Sequence, residues 1–218
     1  MELTSEEKKI LTGLSFDSEE IEKGELSAEE LALLNEMRAV MDYLKKKYPS
    51  YSFEITGCEP KAGTIRKYNE WYFKVSGIER DNAFISAVEN SDGKYLIKDD
   101  FFGEIIREPI EKEVKKMLMN AGLKIIMVDV SFWEMMGREY GETIPVMKVL
   151  NGAIDAGNDI KVFIDGSEIK ESDYEKTVSD VEEILTRKNV IGDVYVVILK
   201  DANADFAKDR LYSDGFTI

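Results

Sequence analysis

Apolar residues recur at helical spacing near the N-terminus and at strand spacing through the middle of the chain, and these two periods set the expected elements. Thr4 with Glu7 forms a capping box ahead of Ile10, Leu11 and Leu14, and Ser27 with Glu30 forms a second. After the second, Leu31, Leu34, Met41, Leu44 and Tyr48 repeat with helical period, flanked by Leu33, Met37 and Val40, until Pro49 stops the run. The spacing predicts a helix over 28–48 with one broad apolar face. Residues 16–24, acidic in balance, read as a loop or a short helix. Residues 51–55 alternate and read as a strand, and 57–63, with Gly57, Pro60 and Gly63, as a loop. Residues 70–75 and 82–88 are aromatic and branched, joined by a turn at 77–81. Ser91-Asp-Gly is a hairpin turn into a strand at 94–97. Such a meander is antiparallel. Pro109 suits an early helical position, and Asn120-Ala-Gly122 ends that helix. A strand follows at 124–130. Phe132, Trp133, Met135 and Met136 beyond it are either core or exposed contact residues, with core favoured because methionine and aromatic side chains fill gaps there.

Composition shifts at 137–145. Beyond it come an apolar segment at 146–154, a strand at 160–164 and a turn at Asp165-Gly166. A helix at 172–188 turns Val178, Val181, Ile184 and Leu185 inward, and a strong strand covers 194–199. Residues 201–218 are polar and read as an irregular tail or a short helix docked by Phe206 and Leu211. The expected fold is α+β: helices packed on a mainly antiparallel sheet (1–136), with a smaller C-terminal α/β segment (145–218) that is either a second domain or part of one single domain. Strand, acidic–aromatic step, helix and strand occur twice, with Asp99-Asp100-Phe101 in one copy and Asp173-Tyr174 in the other. No repeated identity accompanies this, so common β-α-β grammar is the favoured explanation.

Charge narrows the function. The 218 residues carry 44 acids against 29 bases, a formal net charge of −15. Nucleic-acid binding rests on phosphate neutralisation by lysine and arginine, so this balance argues against it, and against docking on anionic membranes. An acidic surface suits solubility or a basic protein partner. No window approaches a membrane-spanning length of about 20 apolar residues. An acidic N-terminus without a basic–apolar leader and a single cysteine point to the cytoplasm.

The candidate chemistry is sparse. There is no histidine, which removes Ser-His-Asp and Cys-His machinery and histidine-containing zinc sites. No glycine-rich phosphate loop is present. No catalytic residue and no cofactor is therefore assigned. Asp99, Asp100 and Glu104 follow a strand and could hold Mg²⁺ or Ca²⁺ or act as an acid/base set. Helix capping is the simpler explanation of the same residues. Asp201-x-Asn203-x-Asp205 with Asp209 resembles half an EF-hand loop, but Phe206 replaces the needed glycine and Tyr212 the closing glutamate. Cys58 has Glu59 beside it and reads as structural. Tyr68, Trp71, Tyr72 and Phe73 form an aromatic cluster. Strand geometry puts Trp71 with Phe73 on one face and Tyr72 with Tyr68 on the other. Trp71, Tyr72 and Tyr68 are the candidate binding residues, since exposed aromatics anchor interfaces.

Tyr43-Leu-Lys-Lys-Lys-Tyr-Pro, Phe53-Glu-Ile, the aromatic hairpin and Lys98-Asp-Asp-Phe-Phe before a helix and strand give residues 40–131 a pattern. It resembles a broad set of small, uncharacterised α+β proteins of Gram-positive (Firmicutes) bacteria. The resemblance implies a helix packed on a short antiparallel sheet. Some of those proteins look like lipoproteins and others like toxin-neutralising immunity proteins; the expected absence of a leader here favours the second. The expectation is a non-enzymatic binder or immunity-type inhibitor of a basic protein. Its alternatives are a carboxylate-dependent enzyme or metal binder, and a small-ligand binder in the cup between helix and sheet.

Overall fold

In a computed structural model the described residues are 2–79, 81–91 and 94–218. Contacts divide the chain into two compact units. One comprises residues 1–102 and 135–142, the other 103–134 and 143–218.

In the first unit, α1 (Ser5–Leu14) and α3 (Ala28–Lys47) begin at the two capping boxes. Thr4 and Ser27 each accept from the backbone three residues on, and Glu7 and Glu30 reach back to the cap. The acidic segment between them holds the short helix α2 (Ser18–Lys23), closed by Gly24 at φ 78°, a left-handed turn that suits glycine. Four strands follow as an antiparallel meander: β1 (Phe53–Glu59), β2 (Asn69–Val75), β3 (Phe84–Ser91) and β4 (Lys94–Asp99), in that spatial order. The first strand runs into the expected loop, reaching Glu59 past a register shift between Ile55 and Gly57. The hairpin turn expected at 91–93 lies partly outside the described residues, as does Arg80 of the 77–81 turn.

The meander face toward α3 carries Trp71, Phe73, Phe84 and Val88, all buried. Phe101 is the hub of the aromatic core. Its ring meets Tyr48, Tyr51, Phe53 and Phe84 edge-on, with centroids 4.9–5.8 Å away, the arrangement aromatic quadrupoles favour.

The helix α4 (Phe101–Asn120) starts eight residues before Pro109, which therefore sits inside the helix and not at its first turn. The local proline signal is outweighed by the apolar residues on both sides of it (Phe102, Ile106, Ile110, Val114), all buried.

The second unit holds a mixed sheet in the order β5 (Ile125–Phe132), β6 (Asn158–Asp165), β7 (Asp193–Leu199), β8 (Arg210–Thr217). The pair β6–β7 is parallel and the others antiparallel. A short helix α5 (Val146–Leu150) precedes β6, and α6 (Tyr174–Arg187) links β6 to β7, burying Val178, Val181, Ile184 and Leu185. The strand at 124–130, read above with the N-terminal domain, pairs with β6 in this sheet. The two copies of strand–helix–strand accordingly differ: β4 and β5 belong to separate sheets, whereas β6 and β7 are neighbours.

Residues 210–217, expected as an irregular tail or helix, form β8. Every residue from Asp193 to Ile198 has a partner in it. Its side chains are polar or half-exposed, so the ladder hydrogen bonds hold it, not a continuous apolar face; Tyr212 and Phe216 supply what burial there is. Among the described residues no helix is long and apolar enough to cross a membrane.

Candidate functional site

The acidic trio does not converge. Asp99 is fully buried at the end of β4 and faces inward. Its Oδ2 accepts from Lys47 Nζ at 2.7 Å and from the Tyr43 hydroxyl at 2.6 Å. Its Oδ1 accepts from the Tyr48 hydroxyl at 2.8 Å and from the Phe101 N–H at 3.0 Å, where α4 begins. Lys47 is itself buried and also donates to the Met136 carbonyl at 2.8 Å and the Tyr43 oxygen at 3.0 Å. A two-way backbone bridge ties Asp99 to Met136. Burial, and then the Asp99 charge, push the Tyr43 and Tyr48 hydroxyls far above the usual tyrosine range, so both stay protonated. Burial lowers the Lys47 ammonium, with Asp99 opposing it. With its lone pairs taken, Asp99 has no capacity left for substrate or metal.

Asp100 accepts from the Ile85 N–H at 2.8 Å, and Glu104 pairs with Arg107 at 3.2 Å. Among the described residues no three acids or cysteines gather as a metal site. In the 201–209 loop the carboxylates serve their own backbone. Asp201 accepts from Asn203 N, Asp205 from Ala207 N and Lys208 N, and Asp209 from Asp205 N, at 2.8–3.0 Å. Burial first, then Glu36, pushes the Cys58 thiol up to about 12, so it is not a nucleophile at neutral pH.

The aromatic cluster divides as strand geometry requires, and one of its members is unavailable. Trp71 has no exposed surface; its Nε1 donates to buried Glu36 at 2.7 Å, and Asn69 donates to the same oxygen at 2.8 Å. It is a core residue and not a contact residue, because the face it shares with Phe73 is the one covered by α3. Tyr72 is half-buried on the other face, its hydroxyl donating to Glu59 at 2.9 Å. Arg66 pairs with both Glu59 and Glu70 and lies 6.0 Å from the half-buried Tyr68 ring. On this surface two carboxylates thus share one guanidinium. A cleft of about 290 Å³ beside Tyr95 and Leu96 carries Lys98, Arg138 and Glu139, a mixed charge.

The tryptophan in solvent is Trp133, 73 % exposed, immediately after β5. The expectation that it is core is overturned. The outward face of β5 runs Asp129, Ser131, Trp133, all exposed, while Val128 and Val130 point in. That period-two continuation was the signal in the sequence. Trp133 borders a cleft of about 160 Å³ at the end of the second sheet, where β5 leaves and β6 and β7 begin. Glycines form much of its wall. Gly152 and Gly157 have φ of 70° and 62°, and a Cβ at Gly157 would stand 3.0 Å from that of Trp133. Gly192 packs so closely that a Cβ would lie 2.5 Å from the Asn158 carbonyl oxygen. Among the described residues that line it, the charged side chains are Asp155 and Asp193, both exposed, and none is lysine or arginine. Thr217 donates to Asp193 at 2.6 Å.

No family model, no curated protein and no solved structure matches the chain.

Proposed function

We propose that the chain is a non-enzymatic interaction protein, of the immunity or inhibitor type, that engages a basic protein partner in the cytoplasm. The observation that carries this reading is Trp133, largely in solvent and accompanied at its cleft by two carboxylates, on a chain with a net charge of −15. Large exposed aromatics anchor interfaces, and charge complementarity steers a cationic partner. The polar chemistry of the interior does not favour an enzyme: Asp99 is saturated by donors and Glu104 is drawn to Arg107. The cup between α3 and the meander is filled by Trp71, Phe73, Phe84 and Phe101, which does not favour a small-ligand binder.

The test is capture of partners from lysate by the tagged full-length chain, with a salt series. The expected outcome is one stoichiometric basic protein that elutes as salt shortens the screening length. Recovery of nothing above background, or of a partner indifferent to salt, would remove the reading.

A further inference from the structure

The first sheet begins a fifth strand and abandons it after one residue. The Asp99 N–H donates to the Met136 carbonyl at 3.0 Å and the Met136 N–H to the Asp99 carbonyl at 2.9 Å, an antiparallel rung on the outer edge of β4. The chain then turns away at 138–139. Pairing of β4 with β3 is regular from Lys94 to Asp99, and backbone groups along a strand point to alternate sides. The N–H and C=O of Ile97 and Tyr95 therefore face the same outer edge as those of Asp99. Among the described residues none hydrogen-bonds to them there. The cleft of about 290 Å³ noted above lies between residues 95–98 and residues 137–139. A cleft on one face of a strand would touch alternate residues. This one touches four in succession, so it runs along the edge, over about 13 Å.

From this geometry we infer that the β4 edge docks an extended segment of a partner protein as a fifth strand, one that carries acidic, apolar and acidic residues at alternate positions. In strand addition the main chain supplies affinity and alternate side chains supply specificity. The outward face of β4 presents Lys94, Leu96 and Lys98, all exposed, Leu96 by 58 %, and Arg138 lines the cleft opposite. Glu89 lies across from Leu96 on β3 and Glu139 lines the cleft, yet among the described residues neither forms an ion pair with any of these three bases. An incoming acid–x–apolar–x–acid segment sets its carboxylates against Lys98 and Lys94 and its apolar residue against Leu96. A second copy of β4 does not fit. The register that uses both open positions on both copies places Lys94 opposite Lys98, and like charges directly opposite are destabilising. Edge lysines guard against such self-pairing and leave the edge to an acidic strand. This surface is separate from the Trp133 cleft, and the inference does not rest on the reading given above.

The experiment is a titration of the ¹⁵N-labelled full-length protein with end-blocked Glu-Thr-Val-Thr-Glu. Two controls accompany it: Lys-Thr-Val-Thr-Lys, and the acidic peptide N-methylated at both threonines. The acidic peptide is expected to move the Tyr95, Ile97 and Gly137 amides saturably and to protect those of Tyr95 and Ile97 from hydrogen exchange. The amides of β8, the edge of the other sheet, should stay in place. The threonines are the residues that face Ile97 and Tyr95, so N-methylation keeps every side chain and removes the ladder; it should abolish the response. Lys94→Glu with Lys98→Glu changes two exposed side chains, and should weaken the acidic peptide about tenfold while admitting the lysine peptide. No saturable response to the acidic peptide, an equal response to the N-methylated or the lysine peptide, or a response that misses Tyr95 and Ile97 would overturn the inference. Capture of a basic protein from lysate bears on the earlier reading and leaves this one to the peptides.

Discussion

Replacing Lys47 by methionine removes the cation paired with Asp99 and leaves uncompensated a carboxylate that has no exposed surface. Breaking a buried pair from one side costs about 3–5 kcal/mol. Lys47→Met is therefore expected to lower the urea midpoint of the first unit sharply, followed through the fluorescence of buried Trp71. Adding Asp99→Asn should recover much of the loss, since a neutral amide no longer needs the ammonium; two single losses that simply add would refute the coupling. None of this pairing could be read from the chain. Lys47 sits in a lysine run at the end of α3 that looks like solvated charge, and its partner lies 52 residues away. The sequence does place a carboxylate before α4, and Asp99 does receive the Phe101 N–H. What local reasoning cannot supply is the direction in which that side chain leans. Trp71 and Trp133 make the same point: alternation tells which residues share a face, but not which face is covered.

At the level of elements, the N-terminal helices are held by carboxylates as well as by Leu11, Ile21 and Leu34. Glu7 accepts from Arg38 Nε at 2.6 Å and from its Nη2 at 3.1 Å, linking α1 to α3. Ser15 donates to Glu30 at 2.6 Å, and the Ile55 N–H of β1 to Glu6 at 3.1 Å. The Arg38 guanidinium holds the Glu7 carboxyl below the usual range, and the Ser15 hydroxyl does so for Glu30. A depressed carboxyl stabilises the fold above its unfolded pKa, about 4.3 for glutamate, and that contribution is lost as pH falls through the folded value. Acid titration followed by hydrogen exchange should therefore release the amides of α1 as pH drops below about 4. Glu7→Gln should remove part of that dependence at a cost near 1 kcal/mol at pH 7, Arg38 being half-exposed. An α1 equally protected across that range would contradict the assignment. Both capping boxes were legible because they close within three residues. The strand β8 was not, because its pairing is supplied by β7 and its own composition is polar.

Across the whole molecule, the excess of acids gives a pI near 4.6, and like charge on every copy opposes non-specific association at neutral pH. Light scattering should show particles of constant size at pH 7.5 and association as the pH approaches 4.6; aggregation that ignores pH would mean that charge is not what disperses them. The α+β class was legible, since the periods of two and 3.6 survive in most elements. The division into units was less so, because the chain leaves the first at residue 102 and returns to it at 135. That return has a consequence for biosynthesis. A ribosome that has released 102 residues has delivered Lys47, Tyr43, Tyr48 and Asp99, but not Met136, whose carbonyl accepts a hydrogen bond from Lys47 and whose backbone clasps Asp99. The first unit cannot close its buried polar knot until α4 and β5 have also emerged, so the last clasp of the N-terminal half must wait for a stretch of chain that belongs elsewhere.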